Sequence, residues 1–328
     1  MLYYYKKIYS EAFMKIVILD AATLGDDLSF DGLRELGELT VHQTTAQEDV
    51  AERICDCDVV ILNKLKLTLD ILSSAKNLKL ICETATGYDN IDLSAARKLG
   101  IAVCNVPGYS TASVVQVTLA MALSLATNLP DFEKNVSSGT YSEGNCANTL
   151  TPVFHELAGK TWGVVGYGNI GKGVADVARA LGCKILVCRN HPDGSDECVD
   201  IDTLCKNSDI ISIHTPLSDA TRGLINAERI ASMKQGVIII NVARGAVTDE
   251  KAIANAILDG KIGGFGCDVY SVEPFRKDHP FYALLGNPRV CLTPHMAWGS
   301  YESRVRCLNT VTDNIRAFYA VEKQNRVD

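Results

Sequence analysis

The chain has 328 residues, 47% hydrophobic and 22% charged, with a formal charge of −7. That length exceeds what one hydrophobic core usually holds, so two domains of ordinary globular composition are expected. The acidic balance, with no basic run able to track a phosphate backbone, argues against a nucleic-acid partner.

Twelve cysteines contain a single CxC, Cys55 and Cys57, and no CxxC. Cys82, Cys104, Cys183, Cys188, Cys267 and Cys291 lie in apolar, strand-like runs. This spacing fits reduced thiols used as small core hydrophobes in the cytoplasm, with no metal site and no disulfide framework. Residues 1–13 lack the apolar stretch and small-residue cleavage site of a signal peptide. They read as an unstructured leader or an over-extended start before Met14.

From Met14 onward, short apolar strands alternate with amphipathic helices. KIVILD, ELTVHQ, DVVILN, KLICET and IAVCNV read as strands, with helices in AQEDVAERIC, LTLDILSSA and NIDLSAARKLG. Such alternation implies a parallel sheet covered on both faces. After Val106 the run PGYS breaks the pattern. No side chain from Ile101 to Pro130 is charged, but the Ser, Thr and Gln content is too high for a membrane span. A helix is expected from about Thr111 to Ala126, apolar nearly all round, buried at the domain junction and in a homodimer contact. A loop follows over Ser137–Thr149. A second alternating series then runs through KTWGVVG, KILVC, DIISIH, GVIIIN, KIGGFGCDV and RVCLTP, with a helix in DEKAIANAILDG and a last helix over about Ser300–Val321. That last helix is expected to cross back to the first domain.

Gly166-Tyr167-Gly168-Asn169-Ile170-Gly171 ends a strand and opens a helix. The first glycine permits the tight turn, the second lets backbone approach a pyrophosphate, and the third allows close helix–strand packing. Free N–H groups of Asn169, Ile170 and Gly171 then face the phosphates. The second strand ends in Cys188-Arg189-Asn190, where an acid usually takes the ribose hydroxyls. A guanidinium there would pair with a ribose phosphate, so NADP is favoured over NAD; the plainer alternative has Arg189 pointing to solvent, with Asp193 and Asp196 unrelated to the cofactor.

Arg244, Glu273 and His295 each follow a strand of the second series, where ligands of open α/β sheets bind. Reducing a 2-keto acid puts negative charge on the carbonyl oxygen. A protonated His295 can donate to that oxygen. Glu273 would orient the ring and stabilise its charged form, and Arg244 can grip a carboxylate with its planar fork. His214, one strand earlier, ranks below His295 as a base. His42, His155, His191 and His279 have no comparable setting, the last two preceding prolines in polar loops.

These motifs, with Thr86-Gly87-Tyr88-Asp89-Asn90-Ile91-Asp92, His214-Thr215-Pro216-Leu217, Asn241-Val242-Ala243-Arg244-Gly245, Glu273-Pro274 and Thr293-Pro294-His295, resemble the D-isomer-specific 2-hydroxyacid dehydrogenases over nearly everything after Met14. The resemblance implies two Rossmann-like α/β domains with parallel sheets. The cofactor domain, 110–299, is inserted into a flavodoxin-like substrate domain, 1–109 plus 300–328, and the catalytic groups meet in the cleft between them. It implies that Arg244, Glu273 and His295 are catalytic. Thr215, Pro216, Val242, Ala243 and Asp268 would be cofactor contacts, and the N–H groups of Ala85, Thr86 and Gly87 a substrate-carboxylate cradle.

Leu62-Asn63-Lys64, Ser113-Val114-Val115-Gln116 and His295-Met296-Ala297-Trp298 are similar to the branch acting on hydroxypyruvate and D-glycerate. Lys64 there either helps hold the acid or is a solvated loop lysine. Arg189 departs from the NAD-type pattern, and Gly245-Ala246-Val247-Thr248-Asp249 departs slightly from the usual run. D-3-phosphoglycerate and D-lactate dehydrogenases are the rival activities. Glu273 argues against a formate dehydrogenase, which needs no hydroxyl proton. A non-enzymatic dinucleotide-sensing corepressor is the rival of another class.

Overall fold

A computed structural model describes residues 14–191, 194, 195 and 197–328. The expectations for 1–13, Asp193 and Asp196 lie outside the described residues. The chain divides into two compact units: the chain up to Ser110 with Gly299–Asp328, and Thr111–Trp298.

In the first unit, β1 (Lys15–Ile18), β2 (Glu38–Val41), β3 (Val59–Leu62), β4 (Leu80–Glu83) and β5 (Ala102–Cys104) form one parallel sheet in the order β2-β1-β3-β4-β5. Continuous apolar runs suit strands covered on both faces, and every residue of β3 and β4 is buried. Helix Leu93–Leu99 starts where the Asp92 carboxylate accepts from Ala95 N–H and stops at Gly100, whose φ of 71° few other residues adopt. The last helix, Tyr301–Tyr319, belongs to this unit. Asn314 Nδ2 donates to Asn105 O at 3.0 Å, and Arg304 Nη1 to Leu24 O at 2.8 Å. The strand order reverses at β1, so the crevice outside β1 and β3 is a natural ligand position.

In the second unit, β6 (Thr161–Val165), β7 (Lys184–Cys188), β8 (Ile210–Ile213), β9 (Val237–Asn241), β10 (Ile262–Cys267) and β11 (Val290–Leu292) make a parallel sheet in the order β11-β10-β9-β8-β6-β7. Its switch point lies between β6 and β8. Trp162, Phe265 and Phe281 fill the core. The one polar atom of the Trp162 ring is satisfied, Nε1 donating to Ser212 Oγ at 2.9 Å.

The uncharged helix spans Thr111–Thr127 and packs on glycines of its own unit. A Cβ on Gly173 would lie 2.8 Å from Val115, and one on Gly266 3.0 Å from Met121. This helix therefore buries much of its apolar surface within its own unit. At Asn128, φ 51°, the chain bends by 67° into a further helix, Leu129–Ser137, which periodicity did not reveal. Pro130 is tolerated there because first-turn N–H groups lack intrahelical partners. A short helix, Thr140–Glu143, also stands within the expected loop. Among the described residues no single helix is long and apolar enough to cross a membrane. Finally, His279 is not in a polar loop: its side chain is 7% exposed.

Candidate active site

The glycine loop follows β6 at the switch point. Gly166 has φ 91°, and a Cβ there would lie 2.7 Å from Thr215 N, so the loop runs flush against the His214–Thr215 backbone. A Cβ on Gly171 would lie 2.1 Å from Gly166 O, which is the close helix–strand approach the third glycine allows. Gly168 has open space around it and no side-chain cap, so the first-turn N–H groups of helix Asn169–Ala180 remain available to an anion. A dinucleotide pyrophosphate fits these features. At the end of β7 the Arg189 guanidinium carbon sits 5.9 Å from the centroid of the Tyr167 ring, which places Arg189 beside the loop.

Thr215 is buried, and the Pro216 carbonyl accepts from Thr221 Oγ1 at 2.7 Å, fixing the turn after β8. The ring nitrogens of His214 are buried with no hydrogen-bond partner among the described residues. Burial drives its pKa down to about 3. A ring held neutral and dry is a poor acid, which sets His214 apart from His295.

Glu273 and His295 come together. Glu273 Oε2 lies 2.6 Å from His295 Nδ1, the side chains 27% and 22% exposed. A carboxylate only accepts, so Nδ1 carries the proton and Nε2 is the ring's second working atom. Tyr270 N donates to Glu273 Oε1 at 3.0 Å, while Tyr270 OH donates to Thr293 O at 2.9 Å, so one tyrosine ties the Glu273 turn to the His295 turn. His295 itself has φ 54°, left-handed for a non-glycine residue. Asp268 holds that turn: its carboxylate accepts from Thr293 Oγ1 (2.6 Å), Met296 N (2.8 Å) and Ala297 N (2.9 Å). Burial pushes the Asp268 carboxyl upward, opposed by these donors.

Arg244 leaves β9 in a turn closed by Asn241, whose Nδ2 donates to Arg244 O at 3.0 Å and whose Oδ1 accepts from Ala243 N at 3.1 Å. Arg244 Nη1 donates to Ala243 O at 2.9 Å. A Cβ on Gly245 would lie 2.1 Å from the Tyr270 carbonyl carbon, so the Arg244 turn rests on the segment leading to Glu273. Val242 and Ala243 are half-buried on the same turn.

Sequence reasoning missed the support beneath Glu273. Glu250 accepts from Ser271 N at 2.8 Å and from Ser271 Oγ. It also contacts His279 Nε2 at 3.0 Å, while His279 Nδ1 accepts from Phe281 N. The apolar run Phe281–Leu285 after His279-Pro280 was the one available sign that His279 is buried.

In the first unit, Ala85 O accepts from Val106 N (2.9 Å) and Thr86 O from Asn105 Nδ2 (2.7 Å). The N–H groups of Ala85, Thr86 and Gly87 meet no acceptor among the described residues. Consecutive free N–H groups on an anchored turn make an anion-binding concavity. Lys64 follows β3, with its N–H on Asp20 Oδ2 at 2.8 Å.

The sequence model of the NAD binding domain of the D-isomer specific 2-hydroxyacid dehydrogenases matches residues 119–297. A hydroxypyruvate reductase of Blautia hydrogenotrophica is 36% identical over 314 residues, covering 93% of this chain and 97% of that protein. A glycerate dehydrogenase of Methylorubrum extorquens is 34% identical over 315 residues, covering 96% and 99%. A solved D-lactate dehydrogenase from Aquifex aeolicus, complexed with NAD and lactic acid, has TM-score 0.84 and 31% identity, covering 95% of this chain and 98% of that one.

Proposed function

This chain belongs to the D-isomer specific 2-hydroxyacid dehydrogenase family and is an oxidoreductase using NAD or NADP on small 2-hydroxy acids; within that family we propose that it interconverts hydroxypyruvate and D-glycerate. The observation carrying the chemistry is the 2.6 Å contact of Glu273 with His295. The similarity to a hydroxypyruvate reductase and a glycerate dehydrogenase along nearly the whole chain supports the substrate.

In this reading Gly166, Gly168, Asn169, Ile170 and Gly171 hold the dinucleotide phosphates, with Thr215, Pro216, Val242, Ala243 and Asp268 as further contacts. The bound dinucleotide supplies the hydride that adds to the carbonyl carbon. Arg244 grips the substrate carboxylate and polarises the carbonyl. His295 Nε2 donates the proton that the new alkoxide oxygen takes, and Glu273 fixes the ring's orientation through Nδ1. In oxidation the same ring accepts the hydroxyl proton. The N–H groups of Ala85, Thr86 and Gly87, with Lys64, hold the carboxylate end. Arg189 favours NADP by pairing with a ribose phosphate.

The domains of the proposal are a substrate domain, 1–109 plus 300–328, and a dinucleotide domain, 110–299. A cytoplasmic homodimer completes it. Exposed Leu129, Val136, Leu150 and Val153 supply the apolar surface for a second copy. Twelve free thiols, seven of them buried, fit a reducing compartment.

Absorbance of NADPH and NADH, followed with hydroxypyruvate, glyoxylate, pyruvate and phosphohydroxypyruvate, tests the reading. The highest kcat/KM is expected for hydroxypyruvate. A clear preference for pyruvate or phosphohydroxypyruvate reassigns the substrate. No turnover with any of them overturns the enzyme reading and favours a dinucleotide-sensing binding protein.

A further inference from the structure

Glu83 ends β4, is 0% exposed and takes no part in the chemistry above. Its Oε2 accepts from Asn90 Nδ2 at 3.0 Å, and its Oε1 has no hydrogen-bond partner among the described residues. The same Asn90 amide reaches the carbonyls of Asn63 (3.3 Å) and Leu65 (3.0 Å). Asn63 in turn donates from Nδ2 to Thr84 O at 3.1 Å and to Thr84 Oγ1 at 3.0 Å. Asp20, at the switch point, accepts from Asn63 N and Lys64 N. These bonds join two turns, Asn63–Leu65 after β3 and Thr84–Asn90 after β4. The two turns carry Lys64 and the N–H groups of Ala85, Thr86 and Gly87.

We infer that Glu83 is a positioning residue for the substrate: through Asn90 it sets the spacing of the two turns proposed to hold the substrate carboxylate. The inference rests on the carboxylate cradle proposed above. Burial pushes the Glu83 carboxyl well above its ordinary range, opposed by Asn90 and Lys64 and reinforced by Asp20 and Asp89. Cys82 beside it in β4, and Cys307 on the last helix, are buried thiols raised in the same way, so no nearby thiolate is supplied. An ionised Glu83 would set a negative charge behind a cradle built for an anion. A buried carboxyl with one oxygen unpaired also costs stability, so an apolar residue would serve a purely structural need better. Neutral hydrogen bonding to Asn90 is the property the position requires.

The test compares Glu83→Gln, Glu83→Leu and Asn90→Ala with the wild-type chain, using hydroxypyruvate with saturating NADPH and a separate fluorescence titration of NADPH. Glu83→Leu is expected to raise KM for hydroxypyruvate about tenfold, with kcat changed less and NADPH affinity unmoved. Glu83→Gln, isosteric and uncharged, is expected to restore the wild-type KM. Asn90→Ala cuts the same bond from a half-buried position and is expected to raise KM alike, which decides the matter if Glu83→Leu does not fold. An unchanged KM in Asn90→Ala and Glu83→Leu overturns the inference while leaving the enzyme reading intact. A Glu83→Gln variant as impaired as Glu83→Leu overturns the uncharged-acid role. A wild-type chain inactive on every 2-keto acid overturns the enzyme reading and the inference with it.

Discussion

Glu273 Oε2 and His295 Nδ1 lie 2.6 Å apart across 22 residues of chain. Each is fixed from behind: Tyr270 N holds the carboxylate, and Asp268 holds the turn that gives His295 its left-handed backbone. His295→Ala should lower kcat by about two to four orders of magnitude, since the general acid is lost. Glu273→Gln should lower it less, because the ring remains. NADPH titration of both variants should match wild type. Near-normal turnover in His295→Ala would remove that residue from the mechanism.

Arg189 stands over Tyr167 at the dinucleotide loop. Arg189→Asp replaces a partner for a ribose phosphate with a repelling charge. The ratio of kcat/KM for NADPH over NADH should fall by about tenfold or more, the scale of one charge-assisted hydrogen bond. A ratio that does not move means that Arg189 makes no cofactor contact.

Gly166 tolerates no side chain. Its φ is 91°, and a Cβ would meet Thr215 N at 2.7 Å. Gly166→Ala should destabilise the fold by about 1–3 kcal/mol, the range for overpacking, and weaken dinucleotide binding with it. Thermal melts with and without NADPH check both. Ligand-induced stabilisation equal to that of wild type would argue against close phosphate approach at this loop.

His214 predicts a pH dependence of stability. Its pKa is about 3 in the fold, against 6.5 for the ordinary side chain. Between these values the unfolded chain binds the extra proton, so stability rises with pH. Its contribution is complete above about pH 6.5 and is lost as pH falls toward 3. The full slope for one such group is about 1.4 kcal/mol per pH unit. His214→Leu should flatten denaturant-derived stability over that window. A variant curve parallel to wild type would exclude His214 as the cause.

Much of this molecule is legible in its sequence. Strand–helix alternation dictates parallel sheets, because backbone polar groups must pair and apolar strands need cover on both faces. The spacing of Gly166, Gly168 and Gly171 carried its own stereochemical reason, and the ends of β9, β10 and β11 singled out Arg244, Glu273 and His295. These are properties of local period and backbone geometry, which short windows of chain contain. The long-range supports were not legible. Nothing within the sequence near Glu250 announces Ser271 or His279, and nothing near Glu83 announces Asn63 through Asn90. The helix Leu129–Ser137 is a nearer miss: Leu129, Phe132 and Val136 stand at helical spacing, but nine residues are a short window, and Leu129 and Val136 stay exposed while Phe132 is only half-buried. Only tertiary structure determines which buried polar atoms find partners and which, like the His214 ring nitrogens and Glu83 Oε1, have none among the described residues, because desolvation depends on atoms brought from every part of the chain.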